Sequence, residues 1–421
     1  MSDEIVTEGV IPFFEQPAVE VDKISIGNGI PMGMERISSP ALGIGGVYGT
    51  WGDAYSNENL TEFLEQRLGY PLPADEKLNL APLGFVYRHH IPELSAEEDL
   101  ELEVEVGARL LKSAAQACGW QPQEVEAVMI GMSGPVADDY VARIADRAGI
   151  SQDALVVSVH KACDSSMGAL QIALNPDLQE NNSPLGRNYA RLLEGKKVLV
   201  GGIEGLSRFM NRSHDTNALQ LFGNGAGVIG VIPGKTMKFL VGKAHEVFDD
   251  KGVLAVRMYY PYRGHQPSGR SLVEVTEENP RQIRVAGKMH EPENNESVEM
   301  SGPMGMVKLF VRSGVQVVSD VYQAYRQRLD ELGESSKSIA TVIVHHANYK
   351  INKLKATQLA KGGIELPMPW VLSEFGNVSA ASNMIAFLRN LSSMRPGDHI
   401  MFDGFGAGTY YDVFAVELGG A

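Results

Sequence analysis

The chain has 421 residues, of which 44% are hydrophobic and 21% charged, a composition typical of folded globular proteins and not of disordered ones. At about 150 residues per domain, there is material for two or three domains. Lys and Arg number 37 against 52 for Asp and Glu, and the formal net charge of −15 argues against general nucleic-acid binding.

The two cysteines, Cys118 and Cys163, are too few for a disulfide framework or a multi-cysteine zinc site. The opening MSDEIVTEG has no basic segment followed by an apolar one, so no secretory signal is predicted. No run of 18 apolar residues occurs, and we expect no membrane span. The composition therefore predicts a cytoplasmic protein without a metal site.

Residues 1–35 mix Pro, Gly and charge without a clear period, and we interpret them as an N-terminal extension. Further along, apolar segments alternate with amphipathic ones, which predicts an α/β fold with parallel or mixed sheets. The predicted helices are 59–68, 100–119, 139–149, 164–174, 303–332, 349–363 and 379–391. The predicted strands are in 41–49, 126–134, 154–163, 197–205, 221–232, 338–348 and 399–408.

Two polar stretches interrupt this alternation. Residues 175–194 are predicted to be an insertion before the next strand, and 245–299, which contain four prolines, a partly irregular lid or cap. Within the second, the tyrosine-rich stretch 259–263 is a candidate for reshaping a substrate entrance. The alternative is a solvated insertion.

Cys163 follows an apolar strand and precedes a helix rich in small residues. The N-terminus of a helix stabilises a thiolate, and small neighbours leave room for a substrate, so Cys163 is a candidate nucleophile. The alternative is a buried structural cysteine. That structural role is the one we assign to Cys118, which lies within an amphipathic helix.

Polar residues also follow later β-segments. One strand ends at His345 and His346, followed by Asn348, and side chains at the carboxyl end of a strand point into the usual ligand crevice of α/β folds. The alternative is a pair of loop histidines with one in solvent. Asn377 precedes a helix and is either its N-cap or an amide donor to an oxyanion. The Gly-rich strings match neither a phosphate-binding loop nor a dinucleotide fingerprint.

Five segments together are far more specific than any one of them. In chain order they are Ala162-Cys163, FGNGAG at 222–227, HHAN at 345–348, GNVSAAS at 376–382 and GFGAG at 404–408. On these segments the chain resembles the thiolase superfamily, and within it the β-ketoacyl-acyl carrier protein synthase III family. The resemblance covers roughly residues 36–233 and 300–421.

The resemblance implies a five-layered αβαβα fold with two similar halves. The first, 36–233, would carry the cysteine, and the second, 234–421, would carry His345 and Asn377 and contain the insertion. It also implies a homodimer. The loop before residue 140 would then reach the partner's acyl pocket, where Asp138 or Asp139 could place a carboxylate. The alternative for both is a solvated helix start.

The resemblance further implies that Cys163 takes an acyl group from a thioester of coenzyme A or of carrier-protein phosphopantetheine, with no bound cofactor. His345 and Asn377 would stabilise the enolate formed when a malonyl-type thioester loses carbon dioxide. Attack on the acyl-cysteine would give a β-ketoacyl product. The backbone N–H groups of Cys163 and Ala407 would form the acyl oxyanion hole.

Four residues depart from the family pattern. Asn224 and Ala407 replace an Asp and a Gly, and His346 replaces a Gln. Lys350 stands where an Arg usually helps to dock the carrier protein. The alternative functions are acyl transfer to an oxygen or nitrogen nucleophile, condensation without decarboxylation, and, from another class, a non-catalytic partner subunit.

Overall fold

The computed structural model describes residues 20–133, 137–178, 187–211, 216–246, 273–277, 279–287, 308–406 and 410–420. The strands are β1 (Glu20–Ile26), β2 (Ile30–Ser39), β3 (Ile44–Trp51), β4 (Asp53–Ser56), β5 (Tyr87–His90), β6 (Ala127–Gly131), β7 (Leu155–His160), β8 (Val198–Glu204), β9 (Gly225–Val231), β10 (Met237–Glu246), β11 (Val273–Glu277), β12 (Gln282–Gly287), β13 (Ile339–Val344), β14 (His399–Gly406) and β15 (Tyr410–Leu418). The α-helices are α1 (Leu60–Leu68), α2 (Ala96–Ala117), α3 (Tyr140–Ala148), α4 (Ser165–Leu174), α5 (Tyr189–Leu193), α6 (Thr216–Leu221), α7 (Gly314–Leu332), α8 (Tyr349–Lys361) and α9 (Ser382–Asn390).

Most of the strands belong to two sheets. The larger has the order β1-β2-β3-β9-β8-β6-β7-β12-β11, and its strands β8, β6, β7 and β12 run parallel. The smaller has the order β10-β15-β14-β13, with β13 and β14 parallel. Because parallel strands place their carboxyl ends at one edge, each sheet offers such an edge to a shared site.

Two helices lie between the sheets. Helix α4 contacts β6, β7 and β8 on one side and β14 and β15 on the other, while α9 contacts β3 and β9 on one side and β13 on the other. Helices α2 and α3 pack on the outer face of the larger sheet, and α7 packs on β10 and β15 with α8 beside it. The predicted αβαβα layering is confirmed.

The sequence of α4 explains its central position. All ten of its residues are buried, and they include Gly168, Ala169 and Ala173. A helix with sheets on both sides has no solvent-facing stripe, so its residues are mostly apolar, and its small residues permit close approach. A Cβ added at Gly131 of β6 would lie 2.3 Å from the backbone of Ser165, which shows how near the helix start is to the sheet.

Helix α2 begins earlier than predicted. Ser95 and Glu98 form a reciprocal capping box, in which the Ser95 side chain accepts from the Glu98 N–H and the Glu98 side chain accepts from the Ser95 N–H.

None of the helices in the described residues is both long and apolar enough to cross a membrane.

Two predictions about peripheral segments need correction. The predicted extension, 1–35, contributes β1 and the first part of β2, which pair with each other at the edge of the larger sheet. The predicted insertion, 245–299, contains the regular hairpin β11–β12, and β12 pairs in parallel with β7. Alternating β-branched residues and a turn at Asn279, whose side chain accepts from two backbone N–H groups, account for the hairpin. The stretch 259–263 lies outside the described residues.

The contact between β8 and the segment before α9 provides a test of the packing. A Cβ at Gly202 would lie 2.3 Å from the Ala380 carbonyl oxygen, so we expect Gly202→Ala to lower the free energy of unfolding by about 1–3 kcal/mol. Gly33→Ala is the control, because no atom lies within 4 Å of a Cβ at that position. Urea unfolding measures both, and equal stability of the two variants would contradict this packing.

Candidate active site

Cys163 lies in a tight loop between β7 and α4. The residue before it, Ala162, has a φ of 51°, a left-handed conformation that costs a non-glycine residue on the order of 1–3 kcal/mol. Ser165 stabilises the loop, since its hydroxyl accepts from the Lys161 N–H at 2.6 Å and donates to the Ala162 carbonyl at 2.6 Å. The loop therefore presents a partly exposed Cys163 just before the start of a buried helix.

Buried charges lie beside this loop. The Lys161 ammonium contacts the carboxylates of Asp412 and of Asp164, the latter at 3.2 Å. Burial, together with the neighbouring Asp412, raises the pKa of Asp164 well above its ordinary value. The ion pair between Lys161 and Asp412, which burial shields from water, thus ties the loop that holds Cys163 to β15 of the other sheet.

His345 follows β13 and is buried. Its Nδ1 lies 2.6 Å from the Ser382 hydroxyl, which also accepts the His346 N–H at 3.3 Å. The Ser382 hydroxyl can donate its own proton to Nδ1, and in that arrangement the imidazole proton is on Nε2. Burial lowers the pKa of His345 to about 3, with smaller effects from His346 and Lys355. At neutral pH, His345 is therefore uncharged.

His346, by contrast, has both ring nitrogens occupied. Its Nδ1 donates to the Val344 carbonyl at 2.8 Å, and its Nε2 accepts from the Val371 N–H at 3.1 Å. The ring also packs against Trp370 with 4.5 Å between centroids. The alternative that one of the two histidines is in solvent is wrong, since both are buried, and His346 is a structural residue.

Asn377 is not the N-cap of the following helix. Its Oδ1 accepts the Ser379 N–H at 2.9 Å, and its backbone N–H donates to the Leu221 carbonyl at 2.7 Å, while α9 begins only at Ser382. The strand-like pairing with Phe222 holds the segment against the FGNGAG string. With its oxygen occupied, the amide NH₂ is the part of Asn377 suited to donate to a ligand.

Ser379 joins this segment to the cysteine. Its hydroxyl lies 3.2 Å from Cys163 Sγ, and its φ of 45° is again left-handed. Residues 377–382 therefore include Asn377, contact Cys163 through Ser379 and hold His345 through Ser382. This segment links the three candidate residues, which lie far apart in the sequence.

Behind Ser379 lie two polar residues that the sequence analysis missed. Ser133 follows β6 and its hydroxyl contacts that of Ser379, while Glu204 ends β8 and accepts from the Ser133 hydroxyl at 2.7 Å. Polar residues at the ends of apolar strands are the signal that could have found them, as it found His345.

The amide of Asn224, which replaces an Asp, uses both its acceptor and its donor. Its Oδ1 accepts from the N–H and hydroxyl of Ser207, and its Nδ2 donates to the Trp51 carbonyl at 3.2 Å. A carboxylate could not make the last bond, so the replacement matches its surroundings.

The other predicted site residues are dispersed. Ala407 lies outside the described residues, although a Cβ at the preceding Gly406 would lie 3.0 Å from the Cys163 nitrogen. Asp138 forms an ion pair with Arg284 of β12, and Asp139 one with Arg143 at 2.8 Å, where both carboxylates are largely exposed. Their approach to a partner's pocket stays a prediction, as does carrier docking at Lys350, which is exposed at the start of α8.

Within the described ranges, one group of side chains could hold a metal ion. Ligand atoms of Glu334, His399 and Glu417 lie within 4.8 Å of one another. Glu417 is already neutralised by Lys238 at 2.8 Å, and His399 begins β14, whose opposite end borders Cys163. These residues have no place in the chemistry of the cysteine.

Comparisons with known proteins agree with this geometry. Residues 329–418 match the family model described as the C-terminal part of 3-oxoacyl-[acyl-carrier-protein] synthase III. A β-ketoacyl-[acyl-carrier-protein] synthase III of Bacteroides thetaiotaomicron is 22% identical over 398 residues, which cover 92% of this chain and 98% of that protein.

Solved structures show the same fold. The 3-oxoacyl-(acyl carrier protein) synthase III of Pseudomonas aeruginosa superposes with a TM-score of 0.57 at 19% identity, covering 91% of this chain and 98% of that one. The priming β-ketosynthase of the R1128 polyketide pathway gives 0.55 at 19% identity, covering 92% and 98%. The chain is therefore a protein of the thiolase fold. In sequence it is similar to β-ketoacyl-[acyl-carrier-protein] synthases III, over residues 329–418 for the family model and over most of its length for the relative from Bacteroides thetaiotaomicron.

Burial of the histidines predicts a pH dependence of stability. Burial lowers the pKa of His90, His160 and His345 to about 3, against 6.5 in the unfolded chain. The unfolded chain thus binds more protons below pH 6.5, and each such histidine lowers the free energy of unfolding by up to about 1.4 kcal/mol per pH unit as the pH falls. Urea unfolding from pH 7 to 5 should show this slope, and His160→Asn should reduce it. Equal slopes would contradict the burial of His160.

Proposed function

We propose that this protein is an acyl-condensing enzyme of fatty-acid or polyketide synthesis. Cys163 takes an acyl group from a thioester, and the acyl-cysteine is then attacked by the carbanion of a malonyl-type thioester that loses carbon dioxide. The observation that carries the proposal is the segment 377–382, which links Cys163, His345 and Asn377 through single hydrogen bonds.

The state of His345 supports the decarboxylating reaction. A neutral imidazole donating through Nε2, together with the Asn377 amide, offers two donors to one developing enolate oxygen. Neither donor requires a charge that would change with pH in the range where the enzyme works. In a non-catalytic partner subunit, no function would require the strained loop that holds Cys163. Nor would any function require the left-handed Ser379 whose hydroxyl contacts the Cys163 sulfur.

Coenzyme A or carrier-protein thioesters are the substrates that we propose, with no resident cofactor, in a cytoplasmic homodimer. The relatives support this choice, since they are β-ketoacyl-[acyl-carrier-protein] synthases III. Lys350 offers an exposed positive charge for an acidic carrier protein.

Intact-mass spectrometry tests the first half-reaction. After exposure to a panel of acyl thioesters, the wild-type chain should gain one acyl mass, and Cys163→Ala should gain none. Cys118→Ala is the matched control and should acylate normally, because burial raises the pKa of Cys118 to about 12. An acyl mass on Cys163→Ala would contradict the proposed nucleophile.

The second half-reaction is tested by carbon dioxide release from a malonyl thioester. We expect His345→Ala and Asn377→Ala each to lower its rate by about 10²–10³-fold while the acyl adduct on Cys163 still forms. Asn348→Ala is the control, since that residue caps α8 by accepting from the Ile351 N–H and should affect stability alone. Product formation without carbon dioxide release would favour condensation without decarboxylation, and formation of an ester or amide would favour the transferase alternative.

A further inference from the structure

A continuous row of buried polar groups leads away from Cys163. Its sulfur contacts the Ser379 hydroxyl at 3.2 Å, that hydroxyl contacts the Ser133 hydroxyl, and Ser133 donates to Glu204 Oε1 at 2.7 Å. Ser133, Ser379 and Glu204 are each at most 1% exposed. The row thus runs from a partly exposed thiol to a carboxylate that solvent does not reach.

Glu204 is a buried carboxylate that holds a proton more readily than an exposed one. Burial raises its pKa above the ordinary value, while Arg208 and the bonds from Ser133, Ala380 and Ser379 act in the opposite direction. Its Oε1 also accepts from the Ser133 N–H at 2.8 Å and the Ala380 N–H at 3.2 Å, whereas Oε2 has no hydrogen-bond partner among the residues that the structure describes. A carboxylate placed in this way can gain a proton without leaving its position.

The protons in the row can be counted. Three contacts connect four groups, and a thiol, two hydroxyls and a carboxylate supply three protons. The same three protons also serve a thiolate, two hydroxyls and a carboxylic acid, with each hydrogen bond reversed. In both states, each of the three contacts therefore has one proton and is a hydrogen bond. The two states differ only in which group of each pair is the donor.

We propose that Glu204 is the proton acceptor for Cys163, acting as a positioning and relay residue through Ser133 and Ser379. The thiol proton moves to Ser379, the Ser379 proton to Ser133, and the Ser133 proton to Glu204, which leaves a thiolate and a carboxylic acid. This inference adds a proton acceptor to the proposed function. It rests on that function only for the steps in which an acyl group is loaded onto Cys163 and leaves it. When the acyl group leaves Cys163 in the condensation, the departing thiolate takes the same proton back along the row.

His345 is poorly suited to accept the thiol proton of Cys163. Its Nδ1 is occupied by Ser382, and burial keeps its pKa near 3, so it is a poor acceptor for a thiol proton. The charged or titratable groups facing the relay from neighbouring elements are Arg208 and Glu103 near Glu204, and Lys161 and Asp164 beside Cys163.

The test is the pH profile of Cys163 alkylation by iodoacetamide, in a Cys118→Ala background. It needs no acyl substrate, so it remains informative even if the proposed condensation is wrong. We expect Glu204→Gln to slow alkylation at pH 7 at least tenfold and to move the midpoint of the profile to higher pH. Loss of a nearby negative charge alone would have the opposite sign, since removing the carboxylate charge favours a thiolate.

Ser133→Ala is the second variant, because it interrupts the row without removing the carboxylate. It should slow alkylation to a similar degree, and the double variant with Glu204→Gln should be no slower than either single one. Glu105→Gln, a carboxylate of α2 that pairs with Arg109 away from the row, is the control and should keep the wild-type profile. Circular dichroism checks that each variant is folded. An unchanged or accelerated profile for folded Glu204→Gln or Ser133→Ala would overturn the relay.

Discussion

The contact between the Ser379 hydroxyl and Cys163 Sγ joins the two halves of this molecule. Cys163 follows a strand of the larger sheet, whereas Ser379 belongs to the segment that leads into the central helix α9. Both sides meet only because α4 and α9 are packed between the two sheets and each contacts both.

The packing around this contact maintains two residues in strained backbone conformations. Ala162 and Ser379 are left-handed at positions where glycine would be easier, and both are completely buried. Their neighbours leave no space for relaxation, as the clashes of a Cβ at Gly202 or Gly406 indicate. The fold thus stabilises an arrangement that a short peptide of the same sequence would not adopt.

Electrostatics in the site follow from the same burial. Removal from water keeps His345 uncharged and holds Lys161 between two carboxylates, so the site contains strong dipoles but little uncompensated charge. The departures from the family pattern fit this environment, since Asn224 and His346 use both a donor and an acceptor against backbone or hydroxyl partners. They are adjustments of the supporting structure and not losses of a catalytic group.

The sequence by itself determined the alternation of helices and strands, the apolar nature of α4, and the candidates Cys163, His345 and Asn377, because strand ends, helix starts and motif order are local properties. It did not reveal that β1 and the β11–β12 hairpin complete the larger sheet, since strand pairing depends on distant partners. Nor could it place Ser133, Ser379 and Glu204 in one row. Residues from three separate stretches become neighbours only when two sheets close on a shared helical layer, and that long-range packing is decided in three dimensions.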